Sequence, residues 1–262
     1  MRAWLEGIGV IGPGLQGWHA SRPVLAGTRP YRPEPVEVAP SDWLPPAERR
    51  RTGGSVRLAL AVGREACEHS GRAPRSLASV FTSSGGDGDN LHVICETLAS
   101  DQRDVSPTRF HNSVHNAPAG YWGVATGAME SSTSLCAYDW NFAAGLIEAL
   151  AWVAVERQPV VLVAYDTPYP EPLRSVRPIS AVFGAAFVLA PERTDRSIAT
   201  LDADVRSTGS EADLPQGLAA LHQGVPAARS LTLLCALAHG APAQVDIDYL
   251  DGCSVRVAVG SP

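Results

Sequence analysis

Apolar residues recur along this chain in two rhythms, short continuous runs and helical spacing, and the two alternate from end to end. Ala3–Ile11 predicts a strand that ends in a glycine-rich turn. Residues 28–46 are rich in proline and arginine and predict irregular structure. Pro46–His69 predicts a helix with Leu58, Leu60 and Ala61 on its apolar face, which Gly53-Gly54 can divide. Ala78–Thr82 predicts a strand, followed by a loop over Ser83–Asn90 and a helix to about Ala99. A helix is expected over Ser113–Thr126, with Pro118 against its first half. Ser131–Tyr138 predicts a strand and Phe142–Arg157 a helix, with Phe142, Leu146, Leu150 and Val153 close to one face. The continuous apolar runs Pro159–Tyr165 and Phe183–Leu189 predict buried strands.

After Pro191 the pattern changes. Ser197–Ser207 predicts a strand, 208–216 a polar linker and Ala227–Ala238 an apolar helix. Gln244–Leu250 and Ser254–Val259 flank Asp251-Gly252, a hairpin signal. Alternating strands and helices predict a layered α/β fold. The expectation is one domain over 1–262, with 1–190 as its body and 191–262 as an appended helix and hairpin layer.

Composition removes several functions. The net charge of −6 argues against nucleic acid, which needs basic patches. All 21 basic residues are arginine, which excludes a Schiff-base lysine and a P-loop lysine. Cys67, Cys95, Cys136, Cys235 and Cys253 are odd in number and scattered, so free thiols are expected rather than disulfides or a zinc site. The N-terminus lacks the apolar run of a signal peptide, and Val160–Tyr165 is too short to cross a bilayer. A cytoplasmic protein with no cofactor and no metal is expected.

Gly7–Gly12 matches GxGxxG, but Pro13-Gly14 interrupts and Arg22–Arg32 carries no acid, so dinucleotide binding is not expected. His111 and His115 are spaced for a metal on one helix face, yet no third ligand suggests itself, and a structural or interface role fits better. Cys136 reads as a small core or interface residue. His239-Gly240 reads as a helix terminus, and Asp87, Asp89 and Asn90 as a solvated turn.

One constellation carries chemistry. A strand runs through Asp139-Trp140-Asn141 into a helix, an elbow that places one side chain at a helix N-terminus. The helix dipole and free N–H groups there favour a thiolate or oxyanion. The residue on offer is Phe142, which has no lone pair. Trp140 and Phe142 serve equally well as core aromatics or as a pocket wall.

The order of motifs resembles the β-ketoacyl synthases of the thiolase superfamily. Phe142-Ala143-Ala144-Gly145 occupies the frame of that family's nucleophile run. Phe110–Gly120 resembles the segment before the nucleophile strand. Gly7–Gly14, Arg49–Arg51 with Arg57–Ala61, Phe81–Gly86 and Gly184–Leu189 resemble further family segments, in order, over roughly residues 1–190. The chain is more similar still to the short ketosynthase-like proteins that accompany aryl-polyene and xanthomonadin-type pigment synthases, regarded as chain-length-factor-like partners.

The resemblance implies a thiolase-like layered fold, its N-terminal half only, with a short helix and hairpin in place of the half that holds two catalytic histidines. It implies no catalytic residue, with Phe142 at the nucleophile position. The implied partner is a full-length β-ketoacyl synthase in a heterodimer, with acyl carrier protein engaged indirectly. In that family the strand before the elbow pairs across the dimer interface. The implied interface and tunnel residues are Phe110, His111, Asn112, His115, Tyr121, Trp122, Ser134, Cys136, Tyr138, Trp140 and Phe142. Two further readings stay open. One is an acyltransferase or thioesterase using Cys136 or Ser134 with His111 or His115. The other is a purely structural stabiliser of the ketosynthase.

Overall fold

The alternation of strands and helices becomes one mixed sheet with helices on both faces. The computed structural model describes residues 1–207, 209 and 213–262. Strand β1 (Arg2–Gly12) turns into β2 (Leu15–Gln16), followed by α1 (Trp18–Leu25), the one-turn α2 (Pro46–Arg49), α3 (Gly54–Ser70) and β3 (Ala78–Thr82). Helices α4 (Gly88–Ala99), α5 (Pro107–Asn112) and α6 (Ala117–Thr126) precede β4 (Ser132–Leu135). Then come α7 (Asn141–Val155), β5 (Val160–Asp166), α8 (Leu173–Val176) and β6 (Phe183–Ala190). Strand β7 (Ala199–Arg206), α9 (Leu218–Gly224), α10 (Leu231–His239), β8 (Ala243–Asp248) and β9 (Ser254–Gly260) follow.

The strands lie in the order β4-β3-β5-β6-β1-β7-β9-β8, with β2 paired to β1. β4, β3 and β5 are parallel, and the remaining pairs are antiparallel. Residues beyond Ala190 therefore add β7, β9 and β8 to the same sheet, and α10 to one of its faces.

That face is covered by α1, α7 and α10. Phe142, Leu146, Leu150 and Val153 of α7 are all fully buried there, as their spacing predicts. Burying a side chain of this size contributes roughly 1.5–3 kcal/mol. The opposite face is covered by α3 and α6, with Leu58, Val62, Tyr121 and Trp122 in one buried cluster with Val161 and Val163. Strand β5, buried along its whole length, lies between the two layers.

The glycines of the GxGxxG match serve close packing. A Cβ on Gly7 would lie 2.1 Å from the Ala66 carbonyl, and one on Gly9 2.2 Å from the Val62 carbonyl. Only bare backbone lets α3 lie this close to β1.

Several expected boundaries shift. The strand expected over Ser131–Tyr138 is shorter, because Tyr138 takes a left-handed backbone (φ 53°) and opens a 3₁₀ turn, Tyr138–Trp140. The helix expected over Ser113–Thr126 begins later, at Ala117, as α6, and a separate helix, α5, precedes it over Pro107–Asn112. Pro118 sits at the start of α6, where its missing N–H costs nothing. Gly53-Gly54 does divide the early helix. The helix expected over Phe142–Arg157 begins one residue earlier and ends at Val155. Ala227–Ala238 is a 3₁₀ turn, Pro226–Ser230, followed by α10, which Gly240 ends in a left-handed conformation. The hairpin at Asp251-Gly252 forms between β8 and β9. The expected linker 208–216 lies partly outside the described residues. Helices α1, α5, α8 and α9 were not anticipated.

Candidate functional site

The elbow is assembled where β3, β4 and β5 end and α7 begins. Asn141 opens α7 and is fully buried, and its carbonyl accepts a hydrogen bond from Thr82 Oγ1 at 2.8 Å. Phe142 follows it, 0 % exposed, with its ring 5.7 Å from that of Phe187. Phe142, expected at the nucleophile position, points its aromatic ring into the core. No lone pair and no access to solvent exist there.

Beside the elbow lies Asp166, the last residue of β5 and 2 % exposed. Its Oδ1 accepts from the Ser84 N–H at 2.8 Å and from Ser83 Oγ at 3.3 Å. Its Oδ2 accepts from Asn141 Nδ2 at 3.1 Å and from the Ala227 N–H at 2.8 Å. Burial raises the carboxyl's pKa, and these donors oppose the rise. Sequence reasoning missed Asp166 and Asn141. The one available signal was an acid closing an otherwise apolar strand.

The end of β4 is also tied down. The Ser83 N–H donates to the Leu135 carbonyl at 3.3 Å. His115 Nε2 lies 2.7 Å from the same carbonyl. A carbonyl only accepts, so His115 carries its proton on Nε2. Cys136, exposed, donates from Sγ to the Ser84 carbonyl at 3.0 Å. Thiol and imidazole are thus each engaged with a backbone carbonyl, and not with each other. The described geometry gives Cys136 no general base. Cys67 and Cys235 are buried, which pushes both thiols up to about 12 and leaves them inert.

The expected interface residues separate into groups. Phe110 is 70 % exposed on α5, and His111 beside it is exposed, its ring edge-on to that of Tyr121 at 6.2 Å. Asn112 is buried and ties helices together: its Nδ2 donates to the Arg51 carbonyl at 2.8 Å, and its Oδ1 accepts from the Tyr121 hydroxyl at 3.0 Å. Trp122 is buried against Phe81 and Trp43. Trp122 and Phe142 lie on opposite faces of the sheet and cannot line one pocket. Ser134 and Trp140 are half-buried. Tyr138 is half exposed beneath the Arg177 guanidinium, 3.6 Å from its ring, and Arg177 pairs with Asp139 at 2.7 Å. The structure therefore gathers His115, Ser134, Cys136 and Tyr138 around β4, leaves Phe110 and His111 on the neighbouring surface, and places Trp122 and Phe142 in the core.

Asp87, read as part of a solvated turn, caps α4 by accepting from the Asn90 N–H at 3.0 Å. Among the described residues, no group of three or more His, Cys, Asp or Glu could hold a metal ion. No helix among them is long and apolar enough to cross a membrane.

Among the described residues, strand β4 forms one end of the sheet and pairs only with β3. Its side chains, Ser132, Thr133, Ser134 and Leu135, carry no charge. Near it in the chain Met129 and Tyr138 are exposed, as is Val124 on α6, a helix that contacts β4.

Comparison with known proteins bears on this arrangement. The fold is similar to a chain in the structure of a ketosynthase (ApeO) in complex with its chain length factor (ApeC) from Xenorhabdus doucetiae. The match has 23 % identity and a TM-score of 0.75, and covers 98 % of this chain and 99 % of that one. A chain of the ishigamide ketosynthase/chain length factor matches with 12 % identity and a TM-score of 0.76, over 100 % and 99 % of the two chains. A β-ketoacyl synthase from Burkholderia phymatum STM815 matches with 12 % identity and a TM-score of 0.69, again over 100 % and 99 %. At these identities the likeness concerns the fold. No curated protein sequence matches the chain. Residues 18–239 match the β-ketoacyl synthase N-terminal domain, so the chain belongs to that family.

Proposed function

We propose that this chain is a non-catalytic, chain-length-factor-like subunit that pairs through β4 with an active β-ketoacyl synthase in a type II, aryl-polyene-like polyketide system. The observation that carries the reading is the outer edge of β4, which has no second partner strand among the described residues, is uncharged, and lies near the exposed side chains of Val124, Met129 and Tyr138. An edge of this kind is a template for pairing. Structural neighbours that contain a ketosynthase with its chain length factor support the choice of partner. The buried ring of Phe142 supports the absence of a nucleophile at the elbow.

The partner's cysteine performs the condensation on carrier-bound acyl groups, and this chain contributes part of the tunnel wall. Among the aromatic candidates, Phe110 and Trp140 are the better placed to touch a growing chain, because Tyr121, Trp122 and Phe142 are occupied in the core. The test is light scattering on size-exclusion fractions of this chain, alone and co-expressed with the ketosynthase encoded beside it. A discrete one-to-one complex is expected. A soluble monomer that ignores the ketosynthase would overturn the reading.

A further inference from the structure

Asp166 is a buried carboxylate that the proposed function leaves unused. Its four donors come from three places in the chain: Ser83 and Ser84 after β3, Asn141 at the start of α7, and Ala227 in the 3₁₀ turn before α10. One of these places reaches the outer edge of the sheet. The Ser83 N–H holds the Leu135 carbonyl at the end of β4, and the Ser84 carbonyl holds Cys136 Sγ. The main chain of two consecutive residues thus connects a carboxylate in the interior to the last turn of the edge strand.

We propose that Asp166 is a positioning residue that fixes the end of β4 from inside the fold, and with it the surface offered to a partner. The link to docking rests on the reading that a ketosynthase covers β4. The local geometry does not depend on that reading.

Two features make the carboxylate specific. All four of these hydrogen-bond partners donate, and two of them are backbone N–H groups, one on each oxygen. An amide in its place opposes an NH₂ to one of those N–H groups in either orientation. Facing Oδ2, the NH₂ meets Ala227; facing Oδ1, it meets Ser84. Asn141 can turn its own amide to compensate, and Ser83 can rotate its hydroxyl, but a backbone N–H has no such freedom.

The experiment uses the full chain with the ketosynthase encoded beside it. Asp166→Asn is compared with wild type and with Leu201→Ala, a core truncation in β7 remote from the elbow. Binding is measured well below the unfolding midpoint of every variant. Alkylation of Cys136 by iodoacetamide, resolved by mass spectrometry, reports on the end of β4 without any partner. Asp166→Asn is expected to weaken the complex at least tenfold and to speed Cys136 alkylation several-fold, while Leu201→Ala lowers stability and leaves both at wild-type values. Equal behaviour of the two variants in both readouts would overturn the inference, since a merely structural role predicts that result. If Asp166→Asn does not fold, Ser83→Ala removes one donor, and it must show the same pattern at about threefold; wild-type values there overturn the inference too. If wild type itself ignores the ketosynthase, the partner reading fails, and the alkylation rates alone decide whether Asp166 positions β4.

Discussion

The two ends of the sheet are built differently. At one end β8 carries Asp246 and Asp248. Arg256 on the adjacent strand holds Asp246 through two hydrogen bonds of 2.7 and 3.0 Å, and Arg229 approaches Asp248 at 3.5 Å. Charged side chains along an edge discourage another strand from adding to it. At the other end β4 is four residues long, without charge or proline, with Val124, Met129 and Tyr138 exposed near it. One edge is guarded and one is available. Under the proposed function a second chain adds at β4, and the charges of β8 disfavour addition at the other end.

Acid provides the strongest way to separate the two ends. His222 lies beside the guarded end, buried, between Thr232 Oγ1 at 3.2 Å and Arg229 Nη1 at 3.4 Å. Burial first, then the Arg229 charge, pushes its pKa down to about 4. The folded chain keeps this imidazole neutral while the unfolded chain takes up a proton below about pH 6.5. Its contribution is therefore complete above that pH and declines as pH falls toward 4, by up to about 3 kcal/mol. Urea unfolding at pH 7 and pH 4.5 should show a loss that His222→Gln reduces. An identical loss in the variant would remove His222 as the cause.

The available end is tested by Ser134→Pro. Ser131 and Leu135 direct their carbonyls to β3, so the alternation of the ladder turns the N–H of Ser134 outward. Proline there removes no bond within the sheet and blocks an added strand. Complex formation with the ketosynthase should weaken at least tenfold, about 1.4 kcal/mol, with the unfolding midpoint unchanged. Undiminished affinity by titration would show that the partner does not use this edge.

A smaller effect is expected from Phe110→Ala. The ring is exposed in the isolated chain, so stability should change by under about 0.5 kcal/mol. In the complex, affinity should fall a few-fold and the product should lengthen; unchanged length by mass spectrometry removes Phe110 from the tunnel wall. The smallest effect belongs to Asp248→Val, which takes one charge from the guarded edge. Light scattering at high protein concentration should detect slight self-association that wild type lacks, and a strictly monomeric variant would show that the remaining charges suffice.

Much of this architecture is legible in the sequence because it is local. The spacing of Phe142, Leu146, Leu150 and Val153 is a helix stripe, Asp251-Gly252 is a turn, and Gly240 is a left-handed cap. The elbow follows from a strand and a helix with three residues between them. Other features are not local. Helix α1 starts at Gly17 without a side-chain cap and contains Pro23, so neither of its ends is signalled. Alternation continues into Cys136 and gives no warning that the Tyr138 backbone turns left-handed. Asp166 gathers donors 25, 61 and 82 residues away, and no window of sequence contains them together. The aromatic residues grouped as one surface were neighbours in sequence, but the sheet passes between Trp122 and Phe142.

The ring of Phe142 also bears on how this chain could change over generations. Phenylalanine and cysteine codons differ by one base, so a mutant Phe142→Cys lies a single step away. That step would yield a void beside Phe187 and a thiol sealed in hydrocarbon, in surroundings like those that hold Cys67 and Cys235 protonated. Selection for condensation would find nothing to act on until several neighbours had moved as well. The packing works as a ratchet: no single substitution at this position supplies an accessible nucleophile.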